Sequence, residues 1–123
     1  MAEIFLSEGE WKIMKVLWTE SPRTIGQLVE ILKDETGWSK TTIFVMLKRM
    51  IGKGAVRMDD SGRCQQYYPL IKREEASLAE TASFLEKVYD GSVGMMISSL
   101  ADKKALSKEE IAELRQILDH MDE

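Results

Sequence analysis

Cysteine and histidine are nearly absent from this sequence, since Cys64 and His120 are the single members of each type among 123 residues. One thiol cannot form an internal disulfide or a multi-thiolate metal site, and neither residue has neighbours at metal-ligand spacing. A Gly-rich phosphate loop, a nucleophile pair built on His or Cys, and an evident carboxylate pair are also missing. We therefore expect no metal, no cofactor and no enzymatic activity.

Long apolar runs are absent as well. No stretch of about 18 apolar residues occurs, so we expect no transmembrane helix and no membrane insertion. The N-terminus lacks a basic segment followed by a long apolar stretch, so we also expect no signal peptide. Together with the lack of disulfides, these features predict a cytoplasmic protein.

Positive charge is scarce overall, because the net charge is −4, but it is unevenly distributed. Residues 1–70 contain ten Lys or Arg against nine Asp or Glu, whereas residues 71–123 contain seven against twelve. Between Trp38 and Arg63 there are six basic and two acidic residues, a local balance of +4. DNA responds mainly to charge within about 10 Å at moderate salt. The overall acidity therefore does not exclude a DNA-binding protein.

Two capping motifs predict where the first helices begin. In a capping box the cap hydroxyl accepts from the backbone N–H three residues on, and the side chain there accepts from the cap's own N–H. Ser7 with Glu10, and Thr24 with Gln27, fit this pattern, and apolar residues at helical spacing follow each pair. Gly37 can take the left-handed conformation that ends a helix. Two helices are therefore expected before residue 38.

The stretch 38–51 predicts a third helix, capped by Ser39, with two chemically different faces. Its core-facing residues are Ile43, Met46, Leu47, Met50 and Ile51. Its outward residues are Ser39, Lys40, Thr41, Thr42, Phe44, Val45, Lys48 and Arg49. The outward set offers cations for phosphates, hydroxyls for phosphates or base edges, and apolar groups for a thymine methyl. We therefore predict that this face binds DNA.

Two short strands joined by a polar turn predict a β-hairpin after the third helix. The strands cover residues 55–58 and 65–68, and the turn Asp59–Arg63 is rich in turn formers. Arg63 is expected to contact DNA from this wing, and Cys64 to be partly buried. Three helices followed by a hairpin is the order of a winged helix-turn-helix. The predicted fold is therefore mainly α with a small β-hairpin wing (α+β), with residues 1–70 as the DNA-binding domain.

Three more amphipathic helices are predicted over residues 74–89, 93–100 and 107–121. About 50 residues in short helices cannot bury their apolar stripes alone, so they need the N-terminal domain or a second copy of the chain. A homodimer is the simpler answer, and residues 71–123 are predicted to be a helical dimerisation domain. The residues predicted at the dimer interface are Leu78, Leu85, Val88, Met96, Ile97, Leu100, Ile111, Leu114 and Leu118.

Short motifs are spread over nearly the whole chain. They are Leu6-Ser-x-x-Glu-Trp11, Val16-Leu-Trp18, Trp38-Ser-x-x-Thr-Ile43, Leu47-x-Arg49, Lys53-Gly54, Gln66-Tyr-Tyr68, Lys87-Val-Tyr89 and Leu106-Ser-x-x-Glu-Ile111. In number and spacing they resemble the penicillinase-repressor family (the BlaI, MecI and CopY type). The resemblance implies a dimeric winged-helix transcriptional repressor that binds an inverted-repeat operator as double-stranded DNA and is derepressed by an external signal. It also implies that the helix matching Ser39–Met50 is the recognition helix.

The sequence departs from that family at three places. Many members have Lys where this chain has Thr41 and a polar residue where it has Phe44, which indicates a different operator. Members that respond to β-lactams are cut by a membrane sensor metalloprotease at an Asn-Phe bond, whereas the matching position here is Ser99-Leu100. This difference argues against the same induction by proteolysis. The Cys-x-Cys motif of copper-responsive members is absent.

Two alternative functions stay open at this point. One is a small-molecule-responsive regulator with a ligand pocket at the domain junction, lined by Trp38 or by the region of Met95 and Met96. A saturable shift in melting temperature with a ligand would favour it. The other is a winged-helix module that contacts only proteins, which predicts no salt-sensitive DNA binding at any sequence.

Overall fold

Six α-helices and one β-hairpin make up residues 4–122, the part of the chain that this computed structural model describes. In chain order the elements are α1 (Glu8–Thr19), α2 (Ile25–Thr36), α3 (Lys40–Gly52), β1 (Val56–Asp59), β2 (Gln66–Pro69), α4 (Arg73–Tyr89), α5 (Val93–Asp102) and α6 (Lys108–Met121). The mainly α fold with a small hairpin is thereby confirmed. The signal-peptide prediction and the outer ends of both predicted domains fall partly on residues 1–3 and 123, which lie outside the described residues.

Local capping interactions begin α1 and α2 where the sequence predicts them. Ser7 Oγ accepts from Glu10 N at 3.2 Å, and Ser7 N donates to Glu10 Oε1 at 2.8 Å. Thr24 and Gln27 form the same reciprocal pair at 3.2 and 2.9 Å. Gly37 ends α2 at a φ of 65°, a left-handed conformation that most side chains disfavour. The boundaries of these helices are therefore encoded locally.

The hairpin pairs β1 and β2 antiparallel, with Val56 opposite Pro69. Each strand begins one residue later than the sequence predicts. The reason lies at the end of α3, where Ala55 N donates to Met50 O at 2.9 Å. Ala55 therefore belongs to the turn that leaves the helix, and the first strand starts after it.

A short backbone bridge outside the hairpin was not predicted. Arg23 N donates to Tyr67 O at 3.2 Å, and Tyr67 N donates to Arg23 O at 2.9 Å. The bridge connects the segment between α1 and α2 to β2. Tyr67 is buried and Tyr68 is half-buried, as expected for neighbours on a strand whose side chains alternate between faces.

One hydrophobic core joins the first three helices and the hairpin. Its buried apolar residues are Leu6, Ile13, Met14, Leu17, Leu28, Leu32, Ile43, Met46, Leu47, Met50, Ala55, Val56, Tyr67 and Ala76. Trp11 and Trp18 pack edge to face at its margin, with ring centroids 5.6 Å apart. The prediction that Ile51 faces the core is wrong, since Ile51 is exposed. At 3.6 residues per turn it lies about 80° around the helix from Ile43, at the edge of the stripe.

The chain divides into two compact units, Met1–Glu80 and Thr81–Glu123. The division falls inside α4, later than the domain boundary predicted at residue 70. Two contacts explain the difference. Trp18 Nε1 donates to Ile71 O at 2.9 Å, and Ala76 is buried in the core. The segment after the hairpin therefore belongs structurally to the first unit.

The second unit contains the end of α4 together with α5 and α6. A capping box of Ser107 and Glu110 begins α6, as predicted. No side chain of α5 or α6 is buried in the described residues. No helix within residues 4–122 is long and apolar enough to cross a membrane.

Candidate nucleic-acid interface

The start of α3 places two hydroxyl groups on the predicted DNA-binding face. Ser39 is the N-cap, and its Oγ accepts from Thr42 N at 3.2 Å. The same Oγ lies 3.1 Å from Thr42 Oγ1, so the two hydroxyls are hydrogen-bonded. The first turn of a helix has unpaired backbone N–H groups and a partial positive charge, which favour a nearby phosphate. The turn therefore has the polarity needed to approach a DNA backbone.

The eight outward residues predicted to bind DNA from α3 and its N-cap are all exposed. Phe44 and Val45 are apolar, yet they expose 41% and 50% of their surface. Lys48 Nζ lies 5.6 Å from the centroid of the Phe44 ring, within the range of a cation–π contact. Ile43, on the opposite side of the helix, is fully buried. The structure thus brings hydroxyl, apolar and cationic groups together on one accessible helix face.

The β-hairpin wing, which follows α3 in the chain, carries two further cationic side chains, Arg57 and Arg63. Arg63 lies in the exposed turn between the strands. The Arg57 guanidinium lies over the Tyr68 ring, 4.0 Å from its centroid. The expectation that Cys64 is partly buried is wrong, because Cys64 is exposed and lies in the same turn between the two strands.

Glu10 is a fully buried charged residue that the sequence indicated only as part of a cap. Its Oε1 accepts from Ser7 N and from Lys53 Nζ, and Lys53 Nζ also donates to Phe5 O at 3.0 Å. Burial of the carboxyl raises its pKa, but hydrogen bonds from Lys53 and Ser7 and the charge of Lys53 outweigh this effect. The pKa of Glu10 is therefore lowered, and the carboxylate is ionised at neutral pH.

Arg49 reaches the other oxygen of the same carboxylate. Its Nε lies 3.6 Å from Glu10 Oε2, and 57% of the Arg49 side chain is exposed. Glu10 Oε2 is buried and accepts no hydrogen bond from the described residues. The sequence predicted Arg49 as a DNA contact but not this pairing, because the two residues are far apart in the chain. The sequence contains only one indication that Glu10 is held in place, namely the Ser-x-x-Glu motif, which predicts the hydrogen bonds between Glu10 and Ser7 at the start of α1.

The residues predicted at a dimer interface are all exposed or half-buried in the single chain. Leu118, for example, exposes 60% of its surface. Within the second unit, α5 and α6 border an open groove of about 480 Å³. Its apolar lining includes Ile97, Leu106, Ile111, Leu114 and Leu118. Four of these five residues belong to the predicted interface.

The bond Ser99–Leu100, which the sequence resemblance matches to the bond cut in β-lactam-responsive repressors, lies inside a helix. Ser99 is exposed and Leu100 half-buried, and both belong to α5. Lys103 N donates to Ser99 O at 3.4 Å. A protease that binds an extended substrate would first have to unwind this turn.

No three His, Cys, Asp or Glu side chains within residues 4–122 are placed to hold a metal ion. Cys64 is a free, exposed thiol, and His120 Nδ1 lies 2.8 Å from Gln116 O on α6. Among the described residues, the candidate functional site is therefore the outward face of α3, where hydroxyl, apolar and cationic side chains are exposed together.

Comparison with known proteins relates the chain to bacterial repressors. Residues 6–120 match the family described as "Penicillinase repressor". The Penicillinase repressor of Bacillus licheniformis is 35% identical over 114 residues, covering 93% of this chain and 89% of the relative. The methicillin resistance regulatory protein MecI of Mammaliicoccus sciuri is 28% identical over 113 residues, covering 92% of each chain.

A solved structure extends this likeness to the fold. It is the solution structure of monomeric Bacillus licheniformis BlaI in complex with the blaP half-operator. It is 34% identical to this chain, with a TM-score of 0.51, and the match covers 57% of this chain and 85% of that one. The first three helices and the hairpin therefore have the winged-helix fold.

Proposed function

This chain belongs to the penicillinase-repressor family of DNA-binding transcriptional repressors, and we propose that it represses transcription as a homodimer bound to an inverted-repeat operator. The observation that carries the proposal is the exposed outward face of α3, with apolar, hydroxyl and cationic groups side by side. A BlaI relative with the same fold binds a half-operator. The members of this family are regulators and not enzymes.

In the proposed complex the N-terminal half of α3 enters the major groove. Short side chains such as Thr42 and Val45 reach base edges there, because the helix approaches the bases most closely at that end. Lys48 contacts phosphate, and Arg63 reaches the backbone or minor groove from the wing. These assignments follow from position on the helix and from exposure, since sequence can be read only by side chains that face the groove.

The second unit is proposed to form the dimer. Its helices bury no side chain of their own, and their apolar residues line an open groove. Covering apolar surface with a partner is favourable, because each Å² removed from water contributes roughly 25 cal/mol of free energy. A two-fold partner would place the same residues of both chains against each other and so cover both grooves at once. Two DNA-binding units held this way would match two half-sites related by the same symmetry.

Derepression is proposed to respond to an external signal acting on a cytoplasmic repressor. If a membrane sensor metalloprotease is the partner, the bond Ser99–Leu100 is the position to examine first. That bond lies within α5 and lacks the Asn-Phe pair of the β-lactam-responsive members. We therefore expect no cleavage there by a protease specific for Asn-Phe.

The proposal is tested by DNA selection with the purified full-length chain. Genomic fragments retained by the protein are sequenced and then titrated as labelled duplexes at about 50 and 200 mM salt. We expect an enriched inverted repeat that is bound more tightly than scrambled DNA and loses affinity as salt rises. No salt-sensitive binding to any fragment would reject the proposal and favour a module that contacts only proteins.

A further inference from the structure

The pair formed by Glu10 and Arg49 gives a predicted DNA contact a partner inside the protein. Arg49 has five N–H donors arranged in a planar fork, so different edges can serve different acceptors. Its Nε edge faces Glu10 Oε2 at 3.6 Å, while more than half of the side chain remains exposed. Arg49 therefore lies next to a buried carboxylate while much of its side chain stays exposed to solvent.

The carboxylate is well placed to hold this arginine. Oε1 of Glu10 accepts hydrogen bonds from Ser7 N and Lys53 Nζ, and these two bonds hold the carboxylate in one orientation. Oε2 is buried and has no hydrogen bond from the described residues. A buried acceptor without a donor is unfavourable, so it attracts a neighbouring cation strongly. Arg49 is the cation that lies next to it.

We propose that Glu10 is a positioning residue for DNA binding, which holds Arg49 so that its remaining donors bind a backbone phosphate. This inference rests on the proposed DNA-binding function. Arg49 then contributes affinity at any sequence, whereas Thr42 and Val45 provide the sequence preference. A long side chain that is ordered before binding loses less freedom in the complex, which strengthens the complex by about threefold to tenfold.

General electrostatics predicts the opposite effect for the same residue. Glu10 is negative, and removing a negative charge from a DNA-binding surface should strengthen binding to polyanionic DNA. Loss of positioning should weaken it. The direction of the change in Glu10→Gln therefore separates a positioning role from a charge effect.

The experiment measures the affinity of the full-length chain for a fluorescein-labelled duplex of scrambled sequence, about three helical turns long. Anisotropy is followed from about 50 to 200 mM salt. We expect Glu10→Gln to weaken binding about threefold to tenfold. Arg49→Ala should weaken it further and reduce the salt slope by about one unit. The double variant should bind no more weakly than Arg49→Ala, because Glu10 acts through Arg49.

Glu35→Gln is the matched control. It removes the same charge from an exposed ion pair with Lys12, at 2.6 Å, which involves α1 and α2 but not α3. Its affinity for the duplex should equal that of the unaltered chain or be slightly higher. Thermal unfolding of each variant establishes that it is folded at the assay temperature.

Several results would overturn the inference. One is that Glu10→Gln binds the duplex as tightly as the unaltered chain, or more tightly. Another is that Glu10→Gln lowers the affinity by the same factor in the unaltered chain and in Arg49→Ala, which would indicate a structural role alone. If Glu10→Gln does not fold, Arg49→Lys decides. Lysine keeps the charge but lacks the fork, so its affinity should fall nearly as far as that of Arg49→Ala, and unchanged affinity would refute the proposal. If the unaltered chain shows no salt-sensitive binding, the proposed function fails as well.

Discussion

A pair of identical substitutions separates the core of the first unit from the surface proposed for dimerisation. Leu47 on α3 is fully buried, whereas Leu118 on α6 exposes 60% of its surface. Alanine is a better helix former than leucine, so Leu→Ala weakens neither helix through propensity. The two variants therefore differ mainly in what the leucine side chain packs against.

The expected magnitudes follow from these exposures. Leu47→Ala leaves a cavity in a packed core and should lower the free energy of unfolding by about 2–5 kcal/mol. Full burial of a leucine contributes about 1.5–3 kcal/mol, so the exposed part of Leu118 contributes about 1–2 kcal/mol per chain when a partner covers it. Two copies lose that contribution together. At 1.4 kcal/mol per factor of ten, the dimer should dissociate about thirtyfold to several hundredfold more readily.

Sedimentation velocity over a range of protein concentrations measures the second effect, and urea unfolding measures the first. Leu47→Ala should sediment as the unaltered protein does but unfold at lower urea. Leu118→Ala should shift from dimer to monomer at concentrations where the unaltered chain stays dimeric. Its unfolding midpoint should approach that of the unaltered chain as concentration rises, because mass action restores the dimer.

The reasoning would be refuted by a Leu118→Ala chain that sediments like the unaltered protein at every concentration. It would also be refuted by an unaltered chain that is monomeric throughout, since the apolar groove would then have no second copy to cover it. A loss of stability in Leu118→Ala that does not depend on concentration would place this leucine in an intramolecular core.

Two further predictions concern the first unit. The pKa of Glu10 is lowered in the folded chain, so its stabilising effect is complete above the ordinary value of 4.5 and is lost as pH falls through the folded-state pKa. In Glu10→Gln the free energy of unfolding, measured with urea, should therefore depend less on pH in that acidic range. An unchanged pH dependence would contradict the ion-pair assignment. A Cβ at Gly9 would lie 2.7 Å from Met46 Cε and 3.2 Å from Trp38 Cη2, whereas one at Gly26 meets only open space apart from a contact at 3.9 Å. Gly26→Ala should raise the melting temperature through a gain of up to about 1 kcal/mol. Gly9→Ala should gain less or lose stability, because Met46 and the Trp38 ring must first move away from the new Cβ. Equal shifts for the two variants would show that the contact at Gly9 is not restrictive.

The parts of the fold that were predictable from sequence are those encoded by neighbouring residues. Ser7, Thr24 and Ser107 begin helices because each has an acceptor or donor partner three residues later. Gly37 ends α2 for an equally local reason, its positive φ. The exposed face of α3 was predictable because helical periodicity separates it from the buried stripe that contains Ile43 and Leu47.

The parts that were missed depend on contacts between distant segments. Burial of Glu10 follows from the approach of Lys53 and Arg49 at the other end of α3, which no local pattern reveals. The bridge between Arg23 and Tyr67 likewise joins segments separated by two helices. Which α3 side chains touch bases and which touch phosphates depends on how the helix sits in the groove. Those assignments stay predictions.

The measurement that tests the central claim most directly compares Val45→Ala with Lys48→Ala on the selected operator and on a scrambled duplex. Both residues are exposed on the same face of α3. Val45→Ala should cost roughly 1–3 kcal/mol on the operator and little on scrambled DNA, because it removes a contact with a base. Lys48→Ala should weaken both duplexes alike and reduce the salt slope by about one unit. Equal losses on both duplexes for Val45→Ala would contradict the claim that this face of α3 reads DNA sequence.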